Sequence, residues 1–584
     1  MRDSDLDDSL DDSDEDFSPG PDQIESSGPE NDSDDDAHGV SGDDDDPSEH
    51  PLSRRVLYRR SEEFVPRSRQ QGAGDAGRCI RETSGPSQAQ VKTPRQYMEV
   101  FIPPQMYRII ALRTNQHAVA QTGKSILLKN DECEQFFGAS LLMSVLKFPW
   151  IRMYWSQPTR ITAVADAFTR DRFHFIRGHL KVVNDVDVTD EQKKDRLWKV
   201  RPLVESVRSG CLQQERPPQV SIDEHMIPFT GKTTLKQYVP GKPHPEGLKN
   251  FVLASPRGLV LDFEVYQGKK LDDGGAEGKP WTVGESVVMR LVQTLAPGTS
   301  VYFDRYFTTS RLLEQLEARG LHGTGTIKKN LVPKEAKLPT ERELAKRGRG
   351  TSVCAVRSDD AVAFTAWQDR KMILLGSTEH GIEPSDTCKR YQKTSRSYID
   401  VTRPAVVKAY NANMGGVDLN DRMIAHYRSG ARTRKWTVKT ILHFFDLSAV
   451  NAWLLYQQDA EEVGIKGAEV MKFLQFKYAL AMQLLKGNSS DGSSHSSSGS
   501  SDVEEPDGPD PKKRRRAIVP MPSPARLRSG KHLPKCHPRK EFQRCRKPGC
   551  HQQTGMECRR CKIFLCCRPD RDCFHQFHEG GSNV

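Results

Sequence analysis

Apolar positions along this chain change their spacing several times, and each change marks a boundary. Residues 1–90 show no periodicity and are rich in Asp, Ser, Gly and Pro, as in Asp43-Asp44-Asp45-Asp46-Pro47. Such a segment buries too little apolar surface to offset the entropy of ordering it, so it reads as a disordered acidic tail. Residues 91–215 turn helical, with apolar residues at helix spacing in Phe136 to Leu146 and Ile161 to Leu180. Residues 216–328 carry strand signals. Gln219-Val220-Ser221-Ile222-Asp223 is a β-branched run, and Asn250 to Ser255 with Gly258 to Phe263 predicts a hairpin. Val287 to Leu295 has helical spacing, Ser300 to Phe303 predicts a strand, Arg311 to Leu316 a helix, and Gly323 to Ile327 a further strand.

That order predicts an α/β fold with a mixed sheet flanked by helices. Strand-rich runs at Val353 to Val356, Val362 to Trp367 and Met372 to Leu375 fall within 329–408 and read as an insertion. Residues 409–486 are helical again, from about Asp418 to Leu485. Residues 487–530 open on a nearly pure Ser and Gly linker, and 531–579 form a cysteine-rich end.

Composition sharpens the picture in two places. Of 584 residues, 36% are apolar and 28% charged, and the formal net charge is +9. Residues 1–50 hold 21 Asp and Glu against Arg2 alone, so the remainder carries +29. A basic body predicts a polyanion partner, and an acidic tail can screen or compete for that same basic surface. Arg152, Arg160, Arg170, Arg172 and Arg177 interleave with Trp150, Tyr154, Trp155 and Phe173, a mixture suited to phosphate contact and stacking. Each aromatic taken alone reads as core. The longest apolar run, Gly138 to Leu146, is far shorter than the roughly 20 residues of a membrane helix, so no membrane is expected. The acidic start lacks the basic and apolar regions of a signal peptide, and Lys512-Lys513-Arg514-Arg515-Arg516 is a basic cluster of the nuclear-localisation kind.

Eight of the thirteen cysteines lie between Cys536 and Cys573. In an intracellular chain this clustering favours metal over disulfides. His532, Cys545, Cys550, Cys558, Cys561, Cys566, Cys573 and His578 are eight candidate ligands, enough for about two tetrahedral Zn²⁺ sites. Cys536 and Cys567 leave the choice among neighbours open.

Three carboxylates stand at ends of expected elements. Asp223 lies in the first strand, Asp304 follows Val301-Tyr302-Phe303, and Asp418 opens a helix after Gly415-Gly416, with Asp421 three residues on and on the same helical face. On a sheet of this order Asp223 and Asp304 can sit side by side. Converging carboxylates repel unless divalent cations such as Mg²⁺ neutralise them, and a pair of such ions suits phosphodiester chemistry.

Ser221 to Phe229, Phe303 to Ser310, and Tyr410-Asn411 with Met414 to Asp418 resemble the three signature blocks of the piggyBac family of DNA transposases. Arg170 to Phe173, Lys199 to Leu203 and Gly323 to Thr326 look similar as well, so the resemblance covers about residues 94–485, and the cysteine-rich end is similar to that family's zinc domain. The resemblance implies a ribonuclease-H-like catalytic core with a strand-rich insertion and helical DNA-binding and dimerisation domains. It implies that Asp223, Asp304, Asp418 and Asp421 hold Mg²⁺ or Mn²⁺, and that the partner is double-stranded DNA at transposon ends and TTAA targets. A homodimer acting in the nucleus is implied as well. Arg428, Arg432, Arg434 and Lys435 are candidates for DNA backbone contacts. A competing expectation is a domesticated descendant that binds DNA or chromatin partners without moving anything.

Overall fold

The computed structural model describes residues 57–66, 90–268, 280–487, 532–537, 542–568 and 571–579. They belong to two compact units, Met1–Gly492 and Ser493–Val584. Most of the acidic tail, the Ser-rich linker and the basic cluster at Lys512 to Arg516 lie outside the described residues.

The first unit is built on one mixed sheet. Its strands are β1 (Tyr58–Arg60), β2 (Gln219–Pro228), β3 (Lys236–Tyr238), β4 (Glu246–Ala254), β5 (Val260–Val265), β6 (Ser300–Phe303), β7 (His322–Thr326), β8 (Ser352–Arg357), β9 (Ala363–Gln368) and β10 (Met372–Ser377). They are ordered β1-β8-β9-β10-β7-β6-β2-β4-β3, with β5 pairing β4. The β4–β5 hairpin is antiparallel, whereas β2, β6 and β7 run parallel. Parallel neighbours need crossovers, and helices Val283–Leu291 and Ser310–Ala318 supply them. Each starts on a threonine cap: Thr282 forms a capping box with Glu285, and Thr309 accepts from the Leu312 N–H. β7 takes glycine at 325 because a Cβ there would lie 2.6 Å from the Phe303 carbonyl oxygen and 2.3 Å from Thr308 Oγ1.

The strand-rich region expected as an insertion divides in two. β8, β9 and β10 extend the core sheet through the antiparallel β10–β7 pairing, while β11 (Asp386–Gln392) and β12 (Ser397–Arg403) form a ribbon of their own. The expectation of disorder over 1–90 needs correction at Tyr58–Arg60, which pairs with β8. An edge strand exposes unpaired backbone groups that another segment can satisfy. Phe64 anchors the segment in a small core with Cys354, Val356, Ala363 and Ile382.

Helices from both ends of this unit share one core, so the two helical stretches of the sequence are not separate bodies. Phe137, on helix Asn130–Leu146, stacks on Phe445 of helix Trp436–Glu462 with centroids 3.7 Å apart. Tyr97 donates to Asp459 at 2.6 Å. Lys477 of helix Phe473–Lys486 makes a fully buried 2.8 Å ion pair with Asp446. Among the described residues no helix is long and apolar enough to cross a membrane.

The second unit is small. β13 (Pro534–Cys536) pairs with β16 (Met556–Cys558) and β14 (Gln543–Arg544) with β15 (Gln553–Thr554), followed by helix Cys573–Glu579. Its core is mostly cysteine, with Ile563, Leu565 and Phe574.

Candidate active site

Parallel pairing of β2 with β6 sets Ile222 opposite Phe303, so the next residue of each chain, Asp223 and Asp304, arrives at the same edge. β6 ends there, while β2 continues against β4. Carboxylate oxygens of Asp223, Glu224 and Asp304 lie within 4.8 Å of one another. Asp223 is buried, and Glu224 and Asp304 are half-buried. Local backbone fixes two of the three: the Glu224 N–H donates to Asp223 Oδ1 at 2.7 Å, and the Tyr306 N–H donates to Asp304 Oδ1 at 2.9 Å.

This concentration of acid is electrostatically costly. Burial, with the Glu224 and Asp304 charges adding to it and Lys242 opposing, pushes the Asp223 carboxyl up to about 8. Burial also raises Asp304. Two lysines partly compensate. Lys242 Nζ donates to the Glu224 carbonyl at 3.3 Å and sits 4.0 Å from Glu224 Oε1, and Lys249 Nζ is 3.9 Å from Oε2. Burial alone would lower the Lys242 amine, yet the charges of Asp223, Glu224, Asp418 and Asp421 raise it. Burial lowers the Lys249 amine, which also lies 4.2 Å over the Tyr306 ring.

Asp418 enters on helix Gly416–His426, in its first turn. That helix docks closely on the β4–β5 turn. A Cβ at Gly416 would lie 2.3 Å from the Ser255 carbonyl oxygen, and the Asn420 amide donates to the Gly258 carbonyl at 2.8 Å. The Asp418 side chain is exposed. Its charge acts on Tyr410 and on Lys242, both of which also feel Asp223, but its carboxylate lies outside the 4.8 Å cluster of Asp223, Glu224 and Asp304.

Asp421 is anchored from inside. Its Oδ1 lies 3.0 Å from the buried His225 Nε2 and accepts from Arg428 at 3.0 Å. Burial favours its neutral form, but the His225 ring 3.0 Å away and the Arg428 guanidinium hold it well below the usual carboxylate range. His443 packs edge-on against His225 at 4.9 Å, and burial drives its own pKa far down.

The acidic cluster fits a hard divalent cation. Its donors, Asp223, Glu224 and Asp304, offer carboxylate oxygens, the ligand type of Mg²⁺ and Mn²⁺, and a cation there would oppose the burial and the like charges that raise the Asp223 carboxyl.

The basic candidates separate. Arg432 and Arg434 are exposed, whereas Arg428 is turned inward to Asp421 and the Lys435 ammonium donates to the Gly178 carbonyl at 2.7 Å. In the earlier helices, Tyr154 and Phe173 are core residues and Arg172 makes two 2.6 Å bonds to Glu132. Trp150 is exposed, with the Arg152 guanidinium 4.7 Å from its ring.

In the second unit the eight expected ligands form two sets of four, His532, Cys558, Cys561 and His578, and Cys545, Cys550, Cys566 and Cys573. Within the sets, His532 Nδ1 is 3.5 Å from Cys558 Sγ and 3.4 Å from Cys561 Sγ, and Cys550 and Cys566 sulfurs are 3.9 Å apart. These are about the edge lengths of a tetrahedron with Zn–S and Zn–N bonds of 2.0–2.3 Å. Amides support the sulfurs: Cys561 N–H donates to Cys558 Sγ and Cys566 N–H to Cys545 Sγ, both at 3.4 Å. Cys536 and Cys567 belong to neither set.

The sequence reading missed Glu224, Lys242, Lys249, His225 and His443. Strand alternation alone would set Glu224 on the face opposite Asp223, yet its carboxylate reaches the same cluster, and no motif distinguishes these lysines among 87 basic residues.

Residues 93–453 match the family described as Transposase IS4. The chain is 29% identical to human PiggyBac transposable element-derived protein 3 over 405 residues, covering 68% of this chain and 65% of that protein. It is 29% identical to human PiggyBac transposable element-derived protein 2 over 387 residues, covering 64% of this chain and 63% of that one. It therefore spans slightly under two thirds of the length of these relatives. Among solved structures, a piggyBac transposase synaptic complex with hairpin DNA is similar at a TM-score of 0.57 and 21% identity, covering 68% of this chain and 81% of the other. At that identity the likeness establishes a shared fold.

Proposed function

This chain belongs to the Transposase IS4 family, of piggyBac type, and from that premise we propose that it cuts and joins DNA strands in a metal-dependent cut-and-paste reaction. The observation that carries the reading is the meeting of Asp223 and Asp304 across parallel strands, with Glu224 inside the same 4.8 Å cluster. In this reading Asp223, Asp304 and Asp418 hold Mg²⁺ or Mn²⁺. Bound there, such ions activate an attacking oxygen and stabilise the leaving one in phosphoryl transfer.

The chain's own residues do the rest. Asp223 and Asp304 are fixed by backbone amides, so their oxygens are preorganised. Asp421, through His225 and Arg428, holds the Asp418 helix in register and acts as a positioning residue. Lys242 offsets part of the negative charge of Asp223 and Glu224. Exposed Arg432 and Arg434 contact the DNA backbone. The partner is double-stranded DNA at the ends of the parent element, with TTAA as target, and the chain acts in the nucleus as a homodimer. The second unit takes two structural Zn²⁺ ions, whose binding supplies much of its folding energy.

A cell reporter flanked by the parent element's own ends tests this. Wild type is expected to excise it, and Asp223→Asn, Asp304→Asn and Asp418→Asn are each expected to lower excision by at least about 100-fold while leaving DNA binding intact. No excision by wild type, with DNA binding retained, would refute this proposal in favour of a domesticated DNA- or chromatin-binding protein.

A further inference from the structure

One thiol of the second unit lies in a donor cluster that neither four-residue set uses. Cys567 Sγ, a carboxylate oxygen of Asp572 and a ring nitrogen of His575 lie within 4.8 Å of one another. The local chain explains how they meet. Arg568 and Arg571 exchange backbone hydrogen bonds of 3.1 and 3.0 Å in an isolated antiparallel bridge, which turns the chain so that Cys567 comes beside Asp572. Asp572 then caps helix Cys573–Glu579, accepting from the His575 N–H at 3.1 Å. That cap sets His575 in the first turn, with its Nδ1 2.8 Å from Asp572 Oδ2.

Helix capping accounts for the Asp572–His575 pair, but capping does not require a thiol. Cys567 is not needed for the other two sites, since each already has four donors. A thiolate, a carboxylate and an imidazole are together the donor types that borderline divalent ions take. We propose that Cys567, Asp572 and His575 form a third metal site, which takes a Zn²⁺-like ion and leaves its fourth position to water.

The exposure of the donors sets its character. The Asp572 and His575 side chains are 45% and 57% exposed, whereas Cys545, Cys558, Cys561, Cys566 and Cys573 are buried. Three protein ligands open to solvent hold an ion less tightly than four buried ones, so this ion exchanges while the structural pair stays. Adjacent cysteines 566 and 567 thus serve different ions. The inference is independent of the catalytic proposal, because no residue of the acidic cluster enters it.

The full-length protein, loaded with zinc and freed of loosely held metal, is titrated with Co²⁺, with zinc counted by native mass spectrometry. Wild type is expected to retain two Zn²⁺ and to bind Co²⁺ with a thiolate-to-cobalt charge-transfer band in the near ultraviolet, a band that Co²⁺ on the carboxylates of the first unit does not give. Cys567→Ser is expected to abolish that band, and His575→Gln to weaken cobalt binding at least tenfold, both with two Zn²⁺ retained. The site is overturned if wild type, with its two Zn²⁺ retained, shows no thiolate-to-cobalt band, a result that needs no variant to fold, or if Cys567→Ser keeps the band.

Discussion

Asp223 makes the energetics of the acidic cluster measurable before any DNA is added. With its carboxyl raised from 3.8 to about 8, the native state holds a proton between those values that the unfolded chain releases. Stability therefore falls as pH rises through this window, the reverse of a salt-bridged aspartate. At about 1.4 kcal/mol for each pH unit, the ceiling on the loss is about 6 kcal/mol above pH 8. Local relaxation around the buried carboxyl reduces it, and about 2–4 kcal/mol is expected. All seven tryptophans lie between Trp150 and Trp453, inside the first unit, so their fluorescence in urea reports that unit and leaves the zinc unit silent. Zinc-loaded protein with magnesium withheld is expected to lose stability from pH 5.5 to 8.5, and Asp223→Asn to lose far less and to exceed wild type at pH 8.5. Added Mg²⁺ is expected to restore wild type at pH 8.5, by binding the native state alone, and to leave the variant unchanged. A wild-type midpoint that is flat with pH, or one that Asp223→Asn follows in parallel, would refute the electrostatic reasoning.

Three other perturbations probe the scaffold. Lys477→Met removes the buried ammonium that pairs with Asp446 and leaves that carboxyl only its two Ser429 bonds, and is expected to cost about 3–5 kcal/mol in the same urea assay. Gly416→Ala drives a Cβ against the Ser255 carbonyl and so displaces the Asp418 helix. It is expected to destabilise by about 1–3 kcal/mol and to reduce excision more than that loss explains. Replacing Arg432 and Arg434 together by Ala is expected to weaken binding to any duplex by about tenfold and to lower the salt slope by about two, read by fluorescence anisotropy at several salt concentrations.

The order of strands and helices from Gln219 to Thr326 was legible because period-two and helical spacing alternate cleanly there. The meeting of Asp223 with Asp304 was legible because each ends a β-branched or aromatic run. Partition of the eight zinc ligands was not, since spacing alone does not say which thiol crosses to which imidazole. β1 was invisible because Tyr58-Arg59-Arg60 is mostly polar and gains its order from the edge of β8. The resemblance implies Asp421 as a further metal ligand, and the spacing could not show that its Oδ1 also meets His225 and Arg428. The sequence likewise could not show that Arg428, a candidate DNA contact, pairs with Asp421.

The central claim is that Asp223, Asp304 and Asp418 hold divalent cations together. Anomalous scattering from crystals of the zinc-loaded protein grown with Mn²⁺ tests it most directly. The expected map has two manganese peaks about 3.5–4 Å apart, bridged by the Asp223 carboxylate and in contact with Asp304 and Asp418. A map with manganese absent from this cluster, or with Asp418 turned away from any ion bound to Asp223 and Asp304, would contradict it.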